Sequence, residues 1–257
     1  MSRPPLVLAA RTAVVTGAAS GIGRALALAA GARGMHVAIC DIAAAPLEET
    51  ARLIRDAGGQ AAATVVDVSD AAAVAAFAES TRAQLPPIAL LFANAGVLRQ
   101  GSVIDMSLAD WRLLFDVNVL GVVGLLAAFV KPLIAAEEPA QIVITGSTGA
   151  MLSPPNLIAY CATKHALWPV AEGLRADLEA QGAPIGVSFL MPGAVATRIF
   201  DAADPDRPAP SDSIEPSAVA EMVFDALDRD PPFILTHPAY VERFADRFAG
   251  VIDKLRG

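Results

Sequence analysis

Reactive and metal-binding side chains are scarce in this chain, which has two cysteines, three histidines, three lysines and two tyrosines. Cys40 and Cys161 lack metal-ligand spacing, and Cys40 lies within an apolar run that reads as a strand. A reduced, buried thiol is expected there, without a disulfide framework, and a cytoplasmic setting fits. His36, His165 and His237 are scattered, so no metal site is expected. Clustered Lys and Arg are also missing, and the net charge is −8. That balance excludes a nucleic-acid footprint and mainly favours solubility. The N-terminal "RPPLVLAAR" is too brief for a signal peptide. "VLGVVGLLAAFVKPLIAA" (119–136) approaches membrane-span length but carries Lys131 and Pro132 amid soluble patterning. It is expected to be a helix buried on most sides, in the core or at a subunit contact, with no membrane partner.

Apolar residues, by contrast, are plentiful: they fill 54% of the 257 positions, enough for one large α/β domain or two small ones. Short apolar runs at 12–16, 36–41, 62–67, 88–93, 141–145 and 186–191 read as strands, with 233–236 as a seventh. They are apolar throughout rather than alternating, so both faces should be covered. Ala-rich helical segments fall between them, near 21–33, 46–57, 70–84, 107–136, 157–181, 216–228 and 239–255. This alternation predicts an α/β fold with a parallel, doubly wound sheet. No linker divides the chain, so 1–257 is expected to be one domain. The Pro-, Asp- and Ser-rich patch at 201–216 comes too late to separate one domain from another. With the residues just before it, it fits a substrate loop near 194–216.

The first strand runs into "TGAASGIG" (16–23) and then a helix. Gly17 permits the tight turn, and Gly21 and Gly23 remove side chains where backbone approaches a pyrophosphate or packs on the sheet. The helix N-terminus adds free N–H groups and a positive dipole end. The plain alternative is a strand–helix loop; its place after the first strand of a βαβ pattern favours a dinucleotide. Asp41 closes the second strand, eighteen residues past Gly23. A carboxylate there accepts bonds from ribose hydroxyls and repels a 2′-phosphate, which favours NAD over NADP. Arg24 and Arg33 are the nearest bases, and helix-surface duty explains them simply.

In "YCATK", Tyr160 and Lys164 lie one helical turn apart on one face. Such a pair is either surface dressing or a tuned proton donor. A free phenol has a pKa of about 10, and a nearby cation lowers it. Lowering it by two to three pH units takes about 3–4 kcal/mol, which a close ammonium in a partly dry site, helped by a positive nicotinamide, can supply.

With TGAASGIG, Asp41, "NAG" (94–96), Asn118, Ser147, YCATK and "PG" (192–193) in order, the chain resembles the compact branch of the short-chain dehydrogenase/reductase family over about residues 10–236. The resemblance implies a single Rossmann-like domain of about seven strands and an NAD-dependent oxidoreductase acting on an alcohol/ketone pair. By that likeness Gly17, Ser20, Gly21, Ile22 and Gly23 line the pyrophosphate, and Asp67 and Val68 bracket the adenine. Asn94, Ala95 and Gly96 border the cofactor, although Ala93 stands where a second Asn is frequent. Pro192 and Gly193 pass beneath the nicotinamide, while Val195 and Thr197 hold its carboxamide. Tyr160 is the implied general acid/base, tuned by Lys164, which also bonds the nicotinamide ribose. Ser147 orients the substrate oxygen, and Asn118 holds a water that links Lys164 to solvent.

Leu98, Met151, Leu152, Ile199 and Phe200 are the expected pocket walls, pointing to an apolar or aromatic small-molecule substrate. Arg99 and Arg198 could reach an acidic one, though a surface role is simpler. The chain end departs from the family: a strand is followed by an amphipathic helix at 239–255 that either covers the pocket or makes a subunit contact. A homodimer or homotetramer is expected. The competing readings are a catalytically silent dinucleotide-binding redox sensor, which would not need the full Asn–Ser–Tyr–Lys set, and a sugar-nucleotide epimerase or dehydratase. The fold alone separates none of them.

Overall fold

A computed structural model describes residues 4–197, 199 and 212–257. Seven strands form one sheet: β1 (Thr12–Thr16), β2 (His36–Asp41), β3 (Gln60–Val65), β4 (Ile88–Ala93), β5 (Ala140–Thr145), β6 (Ile185–Met191) and β7 (Phe233–Leu235). Their spatial order is β3-β2-β1-β4-β5-β6-β7, and every pairing is parallel. The connecting helices are α1 (Gly21–Ala32), α2 (Ala44–Asp56), α3 (Ala71–Gln84), α4 (Leu108–Phe115), α5 (Gly121–Ala136), α6 (Ile158–Ala180) and α7 (Pro216–Ala226). α8 (Tyr240–Arg256) follows β7. The chain thus forms a single Rossmann-like domain.

Alternate residues of each strand serve opposite faces. In β1, Ala13 and Val15 join Leu26 of α1 and Val223 of α7, whereas Val14 joins Phe77, Phe129 and Leu167 of α3, α5 and α6. Phe129 is wholly buried, with Phe77 edge-on at 6.1 Å. Truncating such a ring costs about 3–5 kcal/mol. The strand order reverses between β1 and β4, so their connections leave on opposite faces and open a crevice at the strands' C-terminal ends. The parallel arrangement brings the loops after all seven strands to that one edge.

Two expectations fail in instructive ways. β3 begins two residues earlier than its apolar run, because its register with β2 pairs His36 with Gln60. It lies at the sheet edge and is largely exposed, its small Ala61–Ala63 stretch giving little area to cover. The apolar segment over 108–136 is long and apolar enough to cross a membrane, yet only 39% of its most apolar stretch is buried. A π-helical turn (Asp116–Leu120) divides it, and Leu108, Leu113, Phe115, Leu120 and Val123 face outward. One side packs on α3 and the sheet, so within one chain it is not a core helix buried on most sides; the alternative of a subunit contact concerns its outward side.

Candidate active site

The glycine turn after β1 has the shape its sequence calls for. Gly17 has φ +67°, and a Cβ there would stand 2.8 Å from Ala95 Cα. At Gly23 a Cβ would stand 2.1 Å from Gly17 O and 2.6 Å from Asn94 Nδ2. Larger residues would therefore force β1 and β4 apart. Gly17, Ser20, Gly21 and Ile22 line the cleft; Gly23 does not, and serves as the close contact beneath it. Asn94 locks the same region. Its Nδ2 donates to Thr16 O (3.1 Å), and its Oδ1 accepts from Thr145 Oγ1 (3.2 Å). Thr16 Oγ1 accepts from the Asn94 and Ala95 N–H groups, both at 3.0 Å. The ends of β1, β4 and β5 are thereby tied together.

Asp41 accepts from Ala19 N–H (3.0 Å) and Ala43 N–H (2.9 Å), which fixes its carboxylate against the glycine turn. Arg24 is occupied: it donates to Ala19 O, Pro46 O and Thr50 Oγ1. Arg33 pairs with Glu221 at 2.7 Å and lies over the Phe224 ring. Asp67 accepts from Ser69 N–H and Oγ, closing the turn after β3 beside Val68. Val195 bridges to Ile214, Thr197 N–H donates to Val195 O, and both residues line the cleft with Pro192 and Gly193. Gly193 N–H points at Thr236 Oγ1 and His237 Nδ1, each at 3.2 Å, and His237 Nε2 lies 3.2 Å from Asp212 O. His237 thus joins the turn after β6 to the returning loop.

Ser147, Tyr160 and Lys164 converge on the same cleft of about 680 Å³. Ser147 Oγ accepts from Gly149 N–H (3.0 Å), which leaves its proton free to be donated. Lys164 is buried, its Nζ donating to Thr145 O (2.9 Å) and lying 5.6 Å from the centre of the Tyr160 ring. Burial lowers its pKa from 10.5 to about 8. Without the positive ring the expectation included, Tyr160 is not tuned downward. Burial pushes the phenol up to about 12, and the force pulling it down is the Ser147 hydroxyl, not the lysine. The reason is mutual: the dry environment that penalises a phenolate also weakens the ammonium meant to support it.

Asn118 sits fully buried in the π-helical turn, an irregularity that turns its amide inward. Its Oδ1 accepts from Val97 N–H (2.7 Å), and its Nδ2 donates to Val97 O (2.9 Å) and Thr163 Oγ1 (3.0 Å). It braces the turn after β4 against α6. Among the expected walls, Leu98, Leu152 and Ile199 line the cleft; Met151 instead packs on the core, and Phe200 and Arg198 lie outside the described residues, as does most of the expected substrate loop.

Several lining residues were not foreseen: Ile42 and Val66 at one end, and Leu157, Cys161, Asp212, Tyr240 and Arg243 at the other. The last two come from α8, whose amphipathic spacing was the only hint. Among the described residues no group of three or more His, Cys, Asp or Glu could hold a metal ion.

A crevice that can cradle a pyrophosphate at one end and gathers a serine, a phenol and an ammonium at the other suits a dinucleotide-dependent oxidoreductase. The model of the short chain dehydrogenase family matches residues 11–208, and the chain belongs to that family. It is 38% identical over 185 residues to the probable oxidoreductase EphD of Mycobacterium tuberculosis, covering 72% of this chain but only 31% of that one. The chain thus spans about a third of the length of those mycobacterial relatives. It is 37% identical to the 1-deoxy-11-beta-hydroxypentalenate dehydrogenase of Streptomyces avermitilis over 188 residues, 72% of this chain and 69% of that one. A Burkholderia phymatum short chain dehydrogenase/reductase solved in complex with NAD superposes with a TM-score of 0.90, at 32% identity and 96% coverage of both chains.

Proposed function

We propose that the protein interconverts a secondary alcohol and a ketone with NAD as hydride carrier. The observation carrying this reading is the meeting of Ser147, Tyr160 and Lys164 in one cleft with the glycine turn. Gly17, Ser20, Gly21 and Ile22 hold the pyrophosphate, Asp41 the ribose, and Asp67 and Val68 the adenine edge. Asn94, Ala95, Gly96, Pro192, Gly193, Val195 and Thr197 surround the nicotinamide half. NAD is favoured over NADP because Asp41 meets the 2′ position and both nearby arginines are engaged elsewhere.

When bound, NAD supplies or accepts the hydride and, oxidised, brings positive charge. The protein's contribution is position and proton movement. Ser147 donates to the substrate oxygen and stabilises charge that develops on it. Tyr160 gives that oxygen its proton, or takes it in the reverse direction. Lys164 restores the proton to Tyr160. Asn118 lies beside Gly96 and Lys164, where it would hold a water that links Lys164 to solvent and extends the relay.

Leu98, Leu152, Leu157 and Ile199 give the substrate end an apolar lining, which supports an apolar or aromatic alcohol. The name of the Streptomyces relative, a dehydrogenase of a hydroxylated compound, agrees with the alcohol. We assign the outward apolar side of α4 and α5 to a second copy of the chain, and its setting to the cytoplasm. The test is a panel of ketones and alcohols followed at the nicotinamide absorbance band with NAD and NADP side by side. Turnover favouring NAD and lost in Tyr160→Phe is expected. NAD binding without turnover of any member would leave the silent-sensor reading instead.

A further inference from the structure

We infer that the substrate carries a carboxylate remote from its reacting carbon, held at the substrate end of the cleft by Arg243 with help from Arg99. This rests on the alcohol/ketone reading above and narrows its substrate class. The two ends of the cleft differ in charge. The glycine-turn end carries Asp41 and Asp67, whereas among the described residues the substrate end carries Arg99 and Arg243 against the carboxylate of Asp212. That is a local reversal in a protein of net charge −8.

Arg243 is placed, not merely present. Its guanidinium lies over the Tyr240 ring at 4.9 Å from the centroid. Tyr240 is itself fixed by His237, edge-on at 6.1 Å, and by the buried Phe244 at 6.1 Å. A planar guanidinium resting on an aromatic ring keeps its N–H edges available, and those edges match a carboxylate in two-point fashion. Arg11, Arg33, Arg52, Arg55 and Arg175 all have carboxylate partners. Among the described residues Arg243 has none, and Arg99 donates only to Leu98 O.

The helix pattern puts this cation where it is by design of spacing. On α8 the acids Glu242, Asp246 and Asp253 share one stripe. Arg243 and Arg247 form a second stripe beside the face that carries Tyr240, Phe244 and Phe248. Arg247 donates to Ser153 Oγ (3.0 Å), securing α8 to the segment that brings Leu152 to the cleft, and its charge reaches the Cys161 thiol in the cleft wall. The helix therefore turns a cationic edge toward the part of the cleft lined by Leu98, Leu152, Leu157 and Ile199. An apolar body with an anionic tail fits both features.

The test pairs 4-acetylbenzoate and 7-oxooctanoate with their methyl esters, which lack the charge and add one methyl group. Binding is read by calorimetry on the protein alone and with NAD, and turnover is read with NADH. Wild type should prefer each acid to its ester, with a preference that falls as salt rises. In Arg243→Gln the acid-over-ester preference should drop about tenfold, the loss expected for one charge-assisted pair, while Arg243→Lys keeps some of it. Acid and ester binding alike, or a preference that survives in Arg243→Gln, overturns the inference. If neutral ketones are still reduced while acids gain nothing, the anion site falls and the dehydrogenase reading stands. Acid binding that depends on Arg243, with no turnover of any compound, does the reverse.

Discussion

Lys164→Met offers a direct test of how the site is charged. The ammonium is buried, and burial lowers its pKa from 10.5 to about 8. The folded chain thus releases this proton before the unfolded chain does. Between about pH 8 and pH 10.5 the unfolded state holds the extra proton, so stability rises with pH across that window. Its full size is about 3 kcal/mol, or a Tm change of roughly 6–12 °C for a chain of this length. Methionine keeps the stem's bulk but deprives Thr145 O of its donor. That loss is about 1–3 kcal/mol and independent of pH, so it moves the curve without tilting it. Urea unfolding of the cofactor-free protein at a series of pH values, wild type beside variant, separates the two effects. Wild type should gain on Lys164→Met as pH climbs through the window. Parallel curves from neutral pH to about pH 10.5 would refute the claim that burial depresses this lysine.

Tyr160→Phe should lower kcat by at least about a hundredfold with NAD affinity retained; an unchanged pH–rate profile would remove Tyr160 from the mechanism. In the wild type near pH 9.5, adding NAD should raise tyrosinate absorbance, because positive charge opposes the burial that holds the phenol at about 12. Tyr160→Phe should show no such rise, and Tyr240 is the only other tyrosine to correct for. Asp41→Ala should raise KM for NAD about tenfold relative to that for NADP, and should cost about 1–2 kcal/mol in urea because two N–H groups lose their acceptor. An unaltered cofactor ratio would show that Asp41 only braces the turn. His237→Phe keeps a ring beside Tyr240 but removes one of the two acceptors facing Gly193 N–H, leaving Thr236 Oγ1. It should raise KM for NAD several-fold, with partial rescue by His237→Asn; equal kinetics in both variants and wild type would sink the positioning role.

The sheet was legible because parallel strands buried on both faces announce themselves as uninterrupted apolar runs. Gly17, Asp41, Asp67, Asn94, Ser147 and Pro192 could be placed together because each lies at or just after the end of such a run, and a parallel sheet gathers those ends on one edge. β3 escaped the rule, since alanines at a sheet edge look the same in sequence as alanines in a core. The π-helical turn at Asn118 was hidden because it depends on contacts with Val97 and Thr163, far away in the chain. Tyr240 and Arg243 were missed for a similar reason. Helical spacing shows that α8 is amphipathic but not which surface it docks against. The burial that opposes ionisation of Tyr160 was not legible, because proximity in sequence reports neighbours and says nothing about water.

That burial points to how the site is built. One cause, burial, raises Tyr160 and lowers Lys164, so each group as found leans toward its neutral form. The lysine cannot drive the tyrosine to phenolate by itself; its Nζ is committed to Thr145 O, and its own charge is weakened where it lies. What remains in place is the hydrogen bond from Ser147, oriented by Gly149 N–H, which favours phenolate without adding charge to the cleft. The balance is therefore left to be tipped by whatever charge enters. Near neutral pH the phenol is neutral and the amine still mostly protonated, so a further positive charge entering the cleft would favour phenolate, an arrangement that ties proton transfer to the loaded state. It also explains why a phenol is paired with a buried amine rather than an exposed one: only a dry pair is this sensitive to a third charge.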